Sequence, residues 1–70
     1  MTVQVNGQHI EIFGGARVQD ALRRYSETDF RLVTAGEKMV VDRRGNRVYL
    51  DGALTEGDIL LVKNISRGLQ

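Results

Sequence analysis

The chain contains no cysteine, no proline and no tryptophan, and only one histidine, His9. Without cysteine there can be no disulfide. With a single imidazole, the ligand clusters that hold zinc or iron–sulfur centres cannot be assembled, so neither a metal nor a cofactor is expected. Aromatic residues make up 6% of the sequence, too few to interleave with basic side chains as a base-stacking surface. Apolar runs are short. The longest unbroken one, Ile59-Leu60-Leu61-Val62, has the length of a strand and falls far below the roughly 20 residues a membrane-crossing helix needs. The opening MTVQVNGQ lacks the basic-then-apolar pattern of a secretory signal. A cytoplasmic protein with no membrane association is therefore expected.

What is present fits one small folded domain. Seventy residues, 41% hydrophobic and 27% charged, supply one core and leave no length for a second. The expected division is a domain over 1–64 followed by a flexible tail over 65–70. Ten basic residues against nine acidic ones give a net charge of +1. That balance provides no general attraction to nucleic acid or anionic lipid. Eight of the ten basic residues are arginine, whose planar guanidinium suits specific bidentate contacts.

Val3 and Val5 alternate with polar neighbours, Asn6-Gly7 follows, and Ile10 and Ile12 alternate with His9 and Glu11. Two alternating runs around Asn-Gly predict a hairpin over 2–6 and 8–13, because both turn residues tolerate positive φ. The period then changes: Val18, Ala21, Leu22 and Tyr25 form one stripe of a helix. Arg17 stands where a capping Ser, Thr or Asp is expected, and Ser26–Asp29 is read as the helix end. Phe30–Thr34 is read as a strand, Met39–Asp42 and Arg47–Leu50 as a short hairpin around residues 43–46, and Ile59–Lys63 as the last strand. Leu54 is read as an anchoring plug. Strand, strand, helix, strand, small hairpin, strand is the β-grasp order. It predicts an α+β fold with a mixed sheet of four to five strands and one helix across one face, the first and last strands being central and parallel. The run 59–62 fits a strand buried on both faces.

With V-x-V-N-G, G-A-R-V-x-D-A-L and D-G-A-L-T-E-G-D-I-L-L-V all present, the chain resembles the ThiS/MoaD/TGS branch of the ubiquitin-like β-grasp superfamily over about residues 2–63. The resemblance implies one of three roles: a noncatalytic protein-binding module, a sulfur carrier, or a TGS-like RNA-binding module. Sulfur carriers of this branch end in a Gly-Gly whose terminal carboxylate is adenylated and thiolated. Here Gly68 stands alone before Leu69-Gln70, so a carrier role would require processing after Gly68 or an atypical tail. The branch's capping Thr is Arg17 here, a loss of about 1 kcal/mol.

No catalytic constellation is evident, and no enzyme is expected. Gly14-Gly15 lacks the flanking residues of a phosphate loop and reads as a strand-to-helix turn. His9 has no nucleophile spaced near it, and Asp51, Glu56 and Asp58 sit in turn contexts. Arg43 and Arg44 are the candidate phosphate or RNA contacts. The candidate protein-binding surface is the sheet face opposite the helix. There Ile59 and Leu61 would project, since the resemblance turns Leu60 and Val62 toward the helix, and Arg47 and Tyr49 would form the rim. A monomer that binds another protein through this face is the primary expectation. Arginine stems such as that of Arg47 could instead cover the face.

Overall fold

The computed structural model describes residues 1–65. Seven elements follow one another: β1 (Thr2–Val5), β2 (Gln8–Glu11), α1 (Val18–Tyr25), α2 (Glu27–Thr34), β3 (Lys38–Asp42), β4 (Arg47–Val48) and β5 (Ile59–Asn64). The strands form a single mixed sheet in the order β2-β1-β5-β3-β4. β5 lies in the middle, parallel to β1 and antiparallel to β3. This is the β-grasp arrangement expected from the element order.

The first hairpin turns on Asn6 (φ 52°) and Gly7 (φ 82°), the pair of positive φ values a type I′ turn demands. Its inward residues Val3, Val5 and Ile10 meet the helical layer. With Ala16, Val18, Ala21, Leu22, Val40, Leu54 and Leu60 they make one core. Leu54 is buried, as its role as a plug predicts.

One element differs from the sequence reading. Residues 30–34 are not a strand but the second half of α2, so two helices rather than one pack against the sheet. Ser26 ends α1 with its N–H on the Leu22 carbonyl and begins α2 with its side chain accepting the Asp29 N–H at 3.1 Å. The segment Ser26-Glu27-Thr28-Asp29 is thus a helix start, with acidic residues in the first turn where the dipole favours them. Phe30 and Val33, three apart, then pack their shared side against the core.

Arg17 caps no helix with its side chain, yet α1 begins without orphaned donors. The Asp20 carboxylate accepts the Arg17 N–H at 2.9 Å. The first two helical N–H groups, those of Val18 and Gln19, donate to the carbonyls of Gly52 and Leu50, both at 2.9 Å. The Arg17 guanidinium reaches the Asp51 carbonyl at 2.7 Å. The segment after β4 therefore does what the absent Thr would have done, and ties the helix start to the far side of the sheet.

Candidate protein-binding face

Both helices lie on one side of the sheet, which leaves the other side to be defined by strand alternation. Val40, Val62 and Val48 share a row on the core side, because they are paired in register and all belong to or pack on the core. The adjacent row, Leu61, Val41 and Arg47, must point away from the helices. One step along β5, Ile59 stands in register with Gln4, and Gln4 with His9. At the other end Lys63 pairs with Met39.

The open face thus carries an apolar strip of Ile59, Leu61, Val41 and Met39, bordered by Gln4, His9, Lys63 and Arg47. Ile59, Leu61 and Met39 are half-buried. Val41 is only 3% exposed, although it faces away from the helices. Its row-mates Leu61 and Arg47 flank it in register. Tyr49 is 63% exposed, and the Arg47 guanidinium lies 5.4 Å from its ring centroid, within cation–π range. Of the four residues expected to form the surface, Ile59 and Leu61 lie on this face, and Arg47 stands in the row of Leu61 at the sheet's edge. Tyr49 stacks with Arg47, the two also lining a cleft with Gln19 and Val33 of the helices. Val41 was missed. Its sign in the sequence was the doublet Val40-Val41 in a strand, which places one apolar residue on each face.

The arginines of the second hairpin lie elsewhere. Arg43 and Arg44 sit in the exposed turn between β3 and β4, beside a cleft of about 470 Å³ that is also lined by Asp42, Glu56 and Asp58. Three carboxylates against two guanidinium groups make this a poor seat for phosphate. Asp42 is held in its turn by the backbone N–H groups of Asn46 (2.9 Å) and Arg44 (2.8 Å). The Asn46 N–H, followed by that of Arg44, keeps its carboxyl below the usual aspartate range against the opposing effect of desolvation. Asp58 accepts from the Thr55 N–H and hydroxyl, and Glu56 accepts the Thr2 N–H. Gly68 lies outside the described residues.

No protein-family model matches the sequence, and no curated protein matches it. Solved structures do. The chain superposes on SAMP1 from Haloferax volcanii with a TM-score of 0.66 at 20% identity, covering 97% of both chains. It also superposes on the thiamine biosynthesis protein ThiS from Geobacter metallireducens with a TM-score of 0.64 at 18% identity, covering 97% of this chain and 99% of that one. These likenesses run the length of the domain, and the fold they share with it is the β-grasp.

Proposed function

We propose that this chain is a noncatalytic ubiquitin-like module that binds a protein partner through its open sheet face. The observation that carries the reading is the asymmetry of the sheet. Two helices cover one side, while the other presents the half-buried Ile59, Leu61 and Met39, with Val41 buried among them, inside a polar border that ends in the exposed Arg47–Tyr49 pair. An apolar centre with an aromatic and an arginine at its edge has the composition of a protein-binding patch. The balanced net charge and the acid-lined cleft beside Arg43 and Arg44 favour protein over RNA. In a complex, amide chemical shifts are expected to move most over residues 39–49 and 59–63. Leu61→Glu should weaken binding at least tenfold, about 1.4 kcal/mol, with the fold retained. A perturbation map that avoids β5 and the second hairpin would refute this assignment.

A second reading, a ThiS-like sulfur carrier, is favoured by a separate observation. The segment holding Gly68 follows directly on the central strand β5 of a domain that overlays ThiS over nearly all its length. Intact-mass spectrometry of the protein isolated from its native cells separates the two. The carrier reading requires a species ending at Gly68, or an atypical full-length tail, whose terminal carboxyl carries sulfur or an adenylate. A mass running through Gln70 without adduct excludes it.

A further inference from the structure

The two edges of the sheet are not equally protected. On one side β4 is two residues long and carries Arg47, and both brevity and charge discourage pairing with another strand. On the other side lies β2, Gln8-His9-Ile10-Glu11, which among the described residues pairs only with β1. It has no proline, no lysine and an unbroken one-to-one register with β1. The hydrogen-bond phase of that register follows from its end. Met1 and Ile12 exchange both bonds, Met1 N to Ile12 O at 2.7 Å and Ile12 N to Met1 O at 2.8 Å. In an antiparallel ladder bonded and non-bonded pairs alternate. Val3/Ile10 and Val5/Gln8 are then bonded pairs, and the N–H and C=O groups of His9 and Glu11 point outward from the sheet.

We propose that a second copy of this chain pairs with the first along β2, antiparallel, so that His9 of each copy stands opposite Glu11 of the partner subunit. This register engages both outward-facing residues of each strand, giving two reciprocal pairs of backbone hydrogen bonds around a twofold axis at Ile10. It sets an imidazole donor beside a carboxylate acceptor on both sides of the axis. Sliding by one step toward the strand's end would instead put Glu11 against Glu11 of the partner subunit, which like-charge repulsion disfavours. The same register places Phe13, 62% exposed, across from Gly7 of the partner subunit. At Gly7 a Cβ would meet nothing within 4 Å, so a ring can lie over that glycine. The shallow groove between β2 and α1 is lined by Glu11, Asp20, Arg23 and Arg24 together with Ile12 and Phe13. Its two acids and two bases give no net charge to select an acidic or a basic peptide. Under a twofold axis, however, they are complementary to themselves. A second copy is the occupant this edge fits, in place of the monomer expected from the sequence.

A single strand pair with one aromatic contact buries less than the roughly 1,200 Å² of a stable complex. The dimer should therefore form reversibly, at about 0.01–1 mM. Sedimentation equilibrium of the full chain over that range should show the mass rising from 7.8 kDa toward twice that value. Amide exchange at His9 and Glu11 should slow as the concentration rises. His9→Pro removes an outward N–H and leaves the β1–β2 ladder intact, so it should stay monomeric with an unchanged circular dichroism spectrum. Where that variant fails to fold, Glu11→Lys, which sets a lysine on the edge, should abolish dimerisation in its stead. The swap His9→Glu/Glu11→His should retain the dimer, and His9→Glu alone should weaken it. A wild-type chain that stays monomeric up to 1 mM, or edge variants that dimerise as it does, would overturn the proposal. Binding of a heterologous peptide at β2 by a monomeric chain would do the same.

Discussion

Leu22→Ala is expected to bring the domain to the edge of unfolding, lowering its urea midpoint by about 3 M. Leu22 is among the largest side chains with no exposed surface, at the centre of the α1 stripe with Val18 and Ala21. It belongs to the same cluster as Val3, Val5 and Ile10 from the first hairpin and Leu60 from the central strand. Truncating such a leucine costs about 2–5 kcal/mol, made up of lost transfer energy and the cavity left behind. Seventy residues support a total stability of only roughly 3.5–10 kcal/mol, so one substitution removes a large fraction. With a slope near 1 kcal/mol per molar urea for a small domain, the midpoint falls by a comparable number of molar units. Leu61→Ala makes the control. The same atoms are deleted, but from a half-buried site on the open face, where about 1 kcal/mol is at stake. Equal shifts for the two variants would mean that the helix-covered side is not where the stability resides.

The contrast between Leu22 and Leu61 is legible in the sequence, Leu22 through the helical period and Leu61 through the resemblance that turns Leu60 and Val62 toward the helix. Val18, Ala21, Leu22 and Tyr25 fall on one helical stripe. Once Leu60 and Val62 are assigned to the helix side, Ile59 and Leu61 must face the other way. The Asn6-Gly7 hairpin and the central place of the last strand were legible for similar reasons, since a positive-φ pair and a strand apolar on both faces each admit few structures. The second helix was not read. Phe30-Arg31-Leu32-Val33 is short, with three apolar residues around Arg31, and over four residues the periods of strand and helix cannot be told apart. The decisive signal lies just upstream, in Ser26 followed three residues later by Asp29, where the residue that closes α1 also opens α2. How much of the open face is covered was also beyond the sequence. Val41 is 3% exposed on the side away from the helices, in register with residues of two other strands, which no local pattern carries.

The compensation at Arg17 belongs to the same class. A missing Thr cap reads as a local defect, yet the carbonyls that satisfy Val18 and Gln19 come from residues more than thirty positions away. The edge of β2 joins both levels. Its alternation was plain in the sequence, whereas its hydrogen-bond phase emerges only from the Met1–Ile12 pair that closes the ladder. Face and edge meet at His9, while pairing through β2 would extend the sheet sideways and leave Ile59 and Leu61 available.

Asn6 concentrates three demands in one residue, and its variants should fall in a fixed order of stability: wild type, Asn6→Asp, Asn6→Gly, Asn6→Ala. Its backbone turns away from β1 with φ at 52°, so it cannot continue the parallel ladder with β5 beyond its own N–H on the Leu60 carbonyl at 2.9 Å. The side chain continues it instead: Oδ1 accepts the Val62 N–H at 2.9 Å. On its other side Nδ2 donates to the Tyr25 hydroxyl at 3.0 Å, fastening the end of α1 to the same point. Aspartate keeps the acceptor for Val62 and can still pair with the Tyr25 O–H, so its cost should be the smallest. Glycine keeps the backbone conformation but strips both contacts and leaves the Val62 N–H without its protein acceptor, about 1–3 kcal/mol. Alanine adds the steric cost of a left-handed residue with a Cβ, about 1–2 kcal/mol more. Urea unfolding of the three variants measures the series, and Tyr25→Phe isolates the hydroxyl arm. A glycine variant as stable as wild type would show that the side-chain bridge between β1 and β5 contributes nothing. Equal losses for glycine and alanine would show that the positive φ imposes no strain.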